Sequence, residues 1–204
     1  MIKNFIPTIN ISCILKKSPD KKKVNLTIKK IEKACIKVGF FQIIGHGISQ
    51  KQIKDICKVG NNFFNLSNKS KKKLSPKKWN SLNNNLYRGY FPNDVNGKEG
   101  LDLGDLEVTK KYSNELKNPY IEYLKLEKCF DKNSIKILKK YFTNIFLLSE
   151  ELFKSIIKLY KKNPNDTKIV FSRQKTLSTL RFNFYPNQTK PVEISKQDGV
   201  YLGC

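Results

Sequence analysis

Histidine occurs once in the 204 residues, as His46, and arginine three times, as Arg88, Arg173 and Arg181. A lone imidazole cannot supply the paired histidines that many metal sites use, and scarce arginine removes the planar, bidentate donor that phosphate and base recognition favour. All but three of the 40 Lys+Arg residues are therefore lysine, alongside abundant asparagine and isoleucine, and the formal net charge is +23. A charge of that size ordinarily points to nucleic acid or an anionic membrane. Here the lysines fall in scattered runs such as Lys21 to Lys23 and Lys71 to Lys73. Such a mix is what an AT-rich coding sequence produces, and the runs read as solvated faces. A dedicated nucleic-acid-binding role is thus the weaker expectation.

Paired cysteines are also missing. The five present, Cys13, Cys35, Cys57, Cys129 and Cys204, are odd in number and far apart, with no C-x-x-C. Neither a disulfide framework nor a zinc knuckle follows, and thiols in a reducing compartment do. The N-terminal apolar stretch is broken by Asn4, Pro7 and Asn10, so it lacks the core of a signal peptide, and no run is long enough to span a bilayer. The expectation is a cytoplasmic protein without a membrane partner. With 39% hydrophobic residues the chain can bury a real core, as one domain or one domain plus a piece of another.

Phe5 to Ile11 alternates after its proline and predicts a short strand near an edge. Val24, Ile28, Ile31, Cys35 and Val38 recur at helical spacing, and Gly39 supplies a stop. Phe40 to Ile44 predicts a buried strand, left through the tight turn Gly45-His46-Gly47. Ser49 and Gln52 form a capping box that opens a second helix carrying Ile53, Ile56, Cys57 and Phe64 on its apolar side. Leu66 to Asn85, rich in lysine, serine and asparagine, predicts a mobile loop or a short lysine-rich helix followed by one, and Gly97 to Glu107 predicts turns.

A helix of about thirty residues is predicted from an N-cap at Asn133 or Ser134, with Ile135, Leu138, Phe142, Ile145, Leu152, Ile156 and Leu159 in its stripe. That seven-residue spacing leaves a coiled coil as an alternative, although the flanking positions lack the alternating charges that specify pairing. Asn163-Pro164-Asn165-Asp166 ends the helix. In Leu177 to Pro186, Leu180, Phe182 and Phe184 share one face while Thr179, Arg181, Asn183 and Tyr185 share the other. Two readings stay open: a surface strand with its polar residues in water, or a barrel strand packed on the long helix with its polar face lining a cavity.

In this order the motifs resemble the iron(II)/2-oxoglutarate-dependent dioxygenase superfamily of the isopenicillin N synthase type. Phe5 to Asn10 looks like its opening strand, and Gly39-Phe40-Phe41-Gln42-Ile43-Ile44-Gly45-His46-Gly47-Ile48 like its N-terminal signature, with Gly45 where asparagine is usual. Arg88-Gly89-Tyr90-Phe91-Pro92, followed by Asp102 or Asp105 and then Glu107, is similar to a further family run. The long helix matches the one supporting the catalytic barrel, and Leu180 to Pro186 looks like a barrel strand. The resemblance implies an α+β fold, with a non-haem dioxygenase N-terminal domain over residues 1–125. Residues 126–204 would give the long helix and first strands of an incomplete double-stranded β-helix, or jelly roll.

The resemblance also implies oxidation of a small organic substrate coupled to 2-oxoglutarate decarboxylation, with ferrous iron held by two histidines and a carboxylate. Asp198 to Cys204 looks like the approach to the first of these ligands, with Tyr201 and Leu202 close to the metal, and there the sequence stops. No metal ligand or catalytic residue is expected within this chain. His46 belongs to a turn motif and has no carboxylate two positions on. Arg181, Asn183 and Tyr185 would line the 2-oxoglutarate or substrate side of the pocket. The expectation is a fragment that binds neither Fe(II) nor 2-oxoglutarate competently alone: an interrupted gene, an incomplete reading, or one half of a split protein whose C-terminal half is encoded separately. A non-catalytic scaffold or binding module is the competing expectation.

Overall fold

The computed structural model describes residues 6–92, 97–107, 124–159, 173 and 178–186. The chain divides into two compact units, Met1–Ile53 with Thr143–Thr176, and Lys54–Phe142 with Leu177–Cys204.

In the first unit, strand β1 (Thr8–Asn10) pairs in parallel with β2 (Gln42–Ile44), Ile9 opposite Ile43. Parallel neighbours require a crossover, and helix α1 (Lys21–Lys37) provides it. Asp20 caps α1 by accepting from the Lys22 and Lys23 amides, and the helix gives out at Val38 before Gly39 turns at φ 90°. Ile9, Ile11, Ile14, Ile28, Ile31 and Ala34 form the core, with Leu148, Leu152 and Ile156 packed on it. Two expectations change here. Ala34 is buried where the predicted stripe had Cys35, which is exposed. Strand β2 is not buried: Gln42 and Ile44 are exposed and only Ile43 turns inward, because the strand has one partner and one covered face.

The turn after β2 follows from local chemistry. The His46 Nδ1 accepts from the Ile48 amide at 3.1 Å, closing the turn on its own ring. Gly45 has φ 69°, and a Cβ there would stand 2.5 Å from the Asn10 Oδ1. The departure from the family's asparagine therefore fits a backbone that an L side chain rarely adopts and a space already filled.

Helix α2 (Gln50–Phe64) opens on the predicted capping box: the Gln52 amide donates to the Ser49 Oγ, and the Ser49 amide donates to the Gln52 Oε1, both at 3.2 Å. In the second unit its buried residues are Ile56, Val59, Gly60, Phe63 and Phe64, whereas Cys57 is exposed. Helix α3 (Asn68–Lys71) and a single 3-10 turn at Lys72–Leu74 follow. Of the two alternatives predicted for Leu66 to Asn85 this is the second, a short lysine-rich helix followed by a loop, and side chains of that loop organise it. The Asn80 carboxamide donates to the Lys72 carbonyl, that of Asn83 to those of Lys73 and Ser75, and that of Asn85 to that of Arg88. Asparagine, abundant by composition, here replaces regular secondary structure as the partner of backbone carbonyls.

Strands β3 (Gly89–Phe91), β4 (Glu99–Leu103) and β5 (Leu180–Phe184) form an antiparallel sheet in the order β3-β4-β5. Strand β4 corrects the prediction of turns. Its glycines and acids look like turn residues, but a partner on each side satisfies its backbone. Helix α4 (Lys132–Leu159) is capped by Asp131, whose Oδ1 accepts from the Ser134 amide at 2.6 Å, so the helix starts slightly before the cap expected. Within the second unit, Ile56, Phe63, Tyr90, Leu101, Leu103 and Leu138 share a core on which Leu180, Phe182 and Phe184 pack. The Phe64 ring stacks on Phe184 at 5.0 Å, so β5 rests on α2. The helix end at Asn163 to Asp166 and the predictions made for Leu177 and for Asp198 to Cys204 lie outside the described residues.

Candidate cosubstrate face

Alternation across the sheet sorts its residues by chemistry. Tyr90, Leu101 and Phe182 are in register and turn to the core, while Gly89, Asp102 and Arg181 form the next row on the opposite face, followed by Phe91, Gly100 and Asn183. Arg181, Asn183 and Tyr185 are all exposed, and Leu180, Phe182 and Phe184 alternate with them in partial burial. The strand thus places the three predicted site residues on one face.

Arg181 stands directly opposite Asp102. Its Nε donates to Oδ1 at 2.7 Å and its Nη2 to Oδ2 at 2.5 Å, a bidentate pair. The carboxylate is buried, 5% exposed, whereas the guanidinium is 59% exposed. Those hydrogen bonds first, and the charge of Asp102 second, hold the Arg181 guanidinium more firmly protonated than usual, against the opposing effect of burial. Two of its five N–H donors are spent on Asp102, which fixes the head group while leaving donors for an acidic ligand. Asp102 was legible only as one of two candidate acids in the Arg88–Glu107 run, and its partner was not. The other acid, Asp105, is buried and accepts from the Glu107 amide at 3.2 Å. Arg88 is buried as well, donating to the Ser178 carbonyl at 3.3 Å, with its guanidinium filling the space that a Cβ on Gly104 would need.

A second polar cluster, not anticipated from sequence, lies on the core side. The Lys71 Nζ meets the Glu99 Oε2 at 2.6 Å and the Phe64 carbonyl at 3.2 Å, and the Tyr90 hydroxyl donates to the same carboxylate oxygen at 2.6 Å. With Lys71 at 4% and Glu99 at 13% exposure this is a buried ion pair that joins α3 to the sheet. Its burial makes it part of the framework.

The described residues do not fit a two-histidine, one-carboxylate iron site. Among them no group of three or more His, Cys, Asp or Glu side chains converges, and the one histidine closes its own turn. Nor is any described helix long and apolar enough to cross a membrane.

A crossover-linked strand pair, a capped helix, and a strand with one apolar and one polar face make a mixed helix and strand fold. Residues 6–127 match the family described as "non-haem dioxygenase in morphine synthesis N-terminal". The chain belongs to this family, within the iron(II)/2-oxoglutarate-dependent dioxygenase superfamily. Among curated relatives, the 2-oxoglutarate-dependent dioxygenase tropC of Talaromyces stipitatus is 36% identical over 87 residues, 43% of this chain and 26% of that protein. Protein SRG1 of Arabidopsis thaliana is 23% identical over 176 residues, covering 82% of this chain and 44% of its own. The matches thus span less than half the length of these relatives. Of solved structures, a C-terminal truncated protein of Neurospora crassa in apo form superposes with a TM-score of 0.64 at 20% identity, covering 89% of this chain and 62% of that one. The Arabidopsis thaliana auxin-oxidation dioxygenase complexed with 2-oxoglutarate gives 0.57 at 21% identity, covering 79% and 52%. These likenesses carry the fold, that of the double-stranded β-helix oxygenases.

Proposed function

We propose that this chain supplies the N-terminal lobe and the cosubstrate wall of a non-haem Fe(II)/2-oxoglutarate-dependent dioxygenase that oxidises a small organic substrate. Residues 1–125 would form the lobe and residues 126–204 the start of the catalytic β-helix. The observation that carries this reading is the outward row of Arg181, Asn183 and Tyr185 on β5, with Arg181 already oriented by Asp102. Guanidinium, carboxamide and phenol are suited to holding a carboxylate and its waters, and the apolar side of the strand is spent on the core. Iron, when bound in a complete enzyme, supplies oxygen activation. The single histidine of this sequence, engaged in its turn, does not provide the donor set, so the 204 residues alone turn nothing over.

Titrating 2-oxoglutarate into the isotope-labelled chain tests the site. The expected result is weak binding, with shift changes concentrated on Arg181, Asn183 and Tyr185 and diminished by Asn183→Ala or Tyr185→Phe. Changes confined to other lysine-rich surfaces would contradict the assignment.

A further inference from the structure

Apart from the β5 face, the second unit contains a cavity of about 140 Å³ whose lining includes Lys73, Asn83, Asn84, Leu124, Lys125 and Lys128. We propose that this cavity is a binding site for a phosphate group, as inorganic phosphate or as the head of a phosphomonoester. Its size compares with the ~150 Å³ engineered cavity that takes benzene, room for a ligand of about six heavy atoms. Three lysines line it, and no carboxylate stands among its lining residues.

That absence contrasts with three lysines that do meet an acid among the described residues. Lys71 meets Glu99, Lys139 meets Glu107 and Lys154 meets Glu150 and Glu151. At the cavity the described residues bring cations together without an acid, an arrangement an anion would relieve. The site is also built. Asn83 is buried and spends its amide on the carbonyls of Lys73 and Ser75, while its Oδ1 accepts from the Lys128 Nζ at 3.2 Å, holding that ammonium at the rim. Leu74 and Leu124, both buried, give it a dry wall. Lys73 and Lys128 both act on the half-buried Cys129 thiol, favouring its charged form, though burial outweighs them and raises its pKa. Lysine ammoniums act as compact point charges that suit a phosphate dianion, whereas a planar carboxylate is better matched by an arginine fork.

Isothermal titration of the full chain at fixed ionic strength, with inorganic phosphate, glycerol phosphate, succinate and chloride as probes, tests the site. Phosphate binding weakened at least tenfold in Lys128→Gln and Lys73→Gln, restored in Lys128→Arg, and unchanged in Lys33→Gln on α1, is the expected pattern. Equal binding of both phosphates assigns the site to the phosphate group itself, and tighter binding of glycerol phosphate assigns it to a monoester. Succinate binding as tightly as phosphate, no heat beyond that of chloride, or an equal loss in Lys33→Gln would overturn the proposal.

Discussion

Arg181 and Asp102 face each other across β4 and β5, and the exposed guanidinium of one is clamped at two points by the buried carboxylate of the other. The pair is both a cross-strand brace and the device that orients the outward face of β5. Arg181→Ala leaves Asp102 buried without these two hydrogen bonds. The expected cost in unfolding free energy is about 1–2 kcal/mol, kept low because the guanidinium is largely solvated. Arg181→Lys, which keeps the charge but not the fork, should recover only part of it. Denaturant melts of the three chains check this, and full recovery by lysine would show that the two-point geometry is immaterial.

Gly60 sets two effects against each other. Alanine in a helix interior is favoured over glycine by about 1 kcal/mol. A Cβ at this position, however, would stand 2.8 Å from the Phe182 ring, and that ring packs on the unit's core. Overpacking of this kind costs ~1–3 kcal/mol, so Gly60→Ala is expected to lower the melting temperature. Adding Phe182→Leu should relieve the clash, making the double variant more stable than the sum of the single changes predicts. A stabilised Gly60→Ala chain would contradict the close approach of α2 to β5.

Lys71→Met should be among the most damaging single changes, because it leaves the Glu99 carboxylate under the sheet with only the Tyr90 hydroxyl. Breaking a buried pair costs about 3–5 kcal/mol, whereas replacing both partners by apolar groups can be near neutral. The expected result is a destabilised Lys71→Met and substantial recovery in Lys71→Met with Glu99→Leu. Equal losses in the single and double variants would show that the ion pair itself, and not the orphaned charge, sets the energy.

Much of this framework was legible in sequence where a signal is local. Ser49 and Gln52 announce α2, the stripe from Ile135 announces α4, and the alternation from Leu180 to Phe184 announces β5 together with the face its polar residues take. What escaped depends on partners far along the chain. Strand β4 carries glycines and acids that read as turn residues until β3 and β5 flank them. Lys71 reads as one of a solvated run until Glu99, 28 positions on, comes to meet it. The alternation placed Arg181 on the polar face, but its link to Asp102 spans 79 positions and only the folded sheet shows it.

The Asp131 cap is expected to make the fold's stability depend on pH. Hydrogen bonds from Ser134, first through its backbone amide, depress this carboxyl's pKa below the usual value. A depressed carboxyl stabilises the folded chain above the unfolded pKa of about 3.9, and that contribution is lost as pH falls through the lower folded value. Asp131→Ala is therefore expected to melt at lower temperature than the parent at pH 7, with the gap closing toward pH 2. A gap that widens on acidification would contradict the cap.

The most direct measurement of the central claim, that this chain carries the cosubstrate wall of a dioxygenase but not its iron site, is succinate formation. The 204-residue chain is incubated with 2-oxoglutarate, ascorbate and oxygen, with and without Fe(II), and succinate is quantified by mass spectrometry. The account predicts no more succinate than protein-free reactions of the same composition give, unchanged by Tyr185→Phe. Iron-dependent, catalytic succinate formation would contradict it.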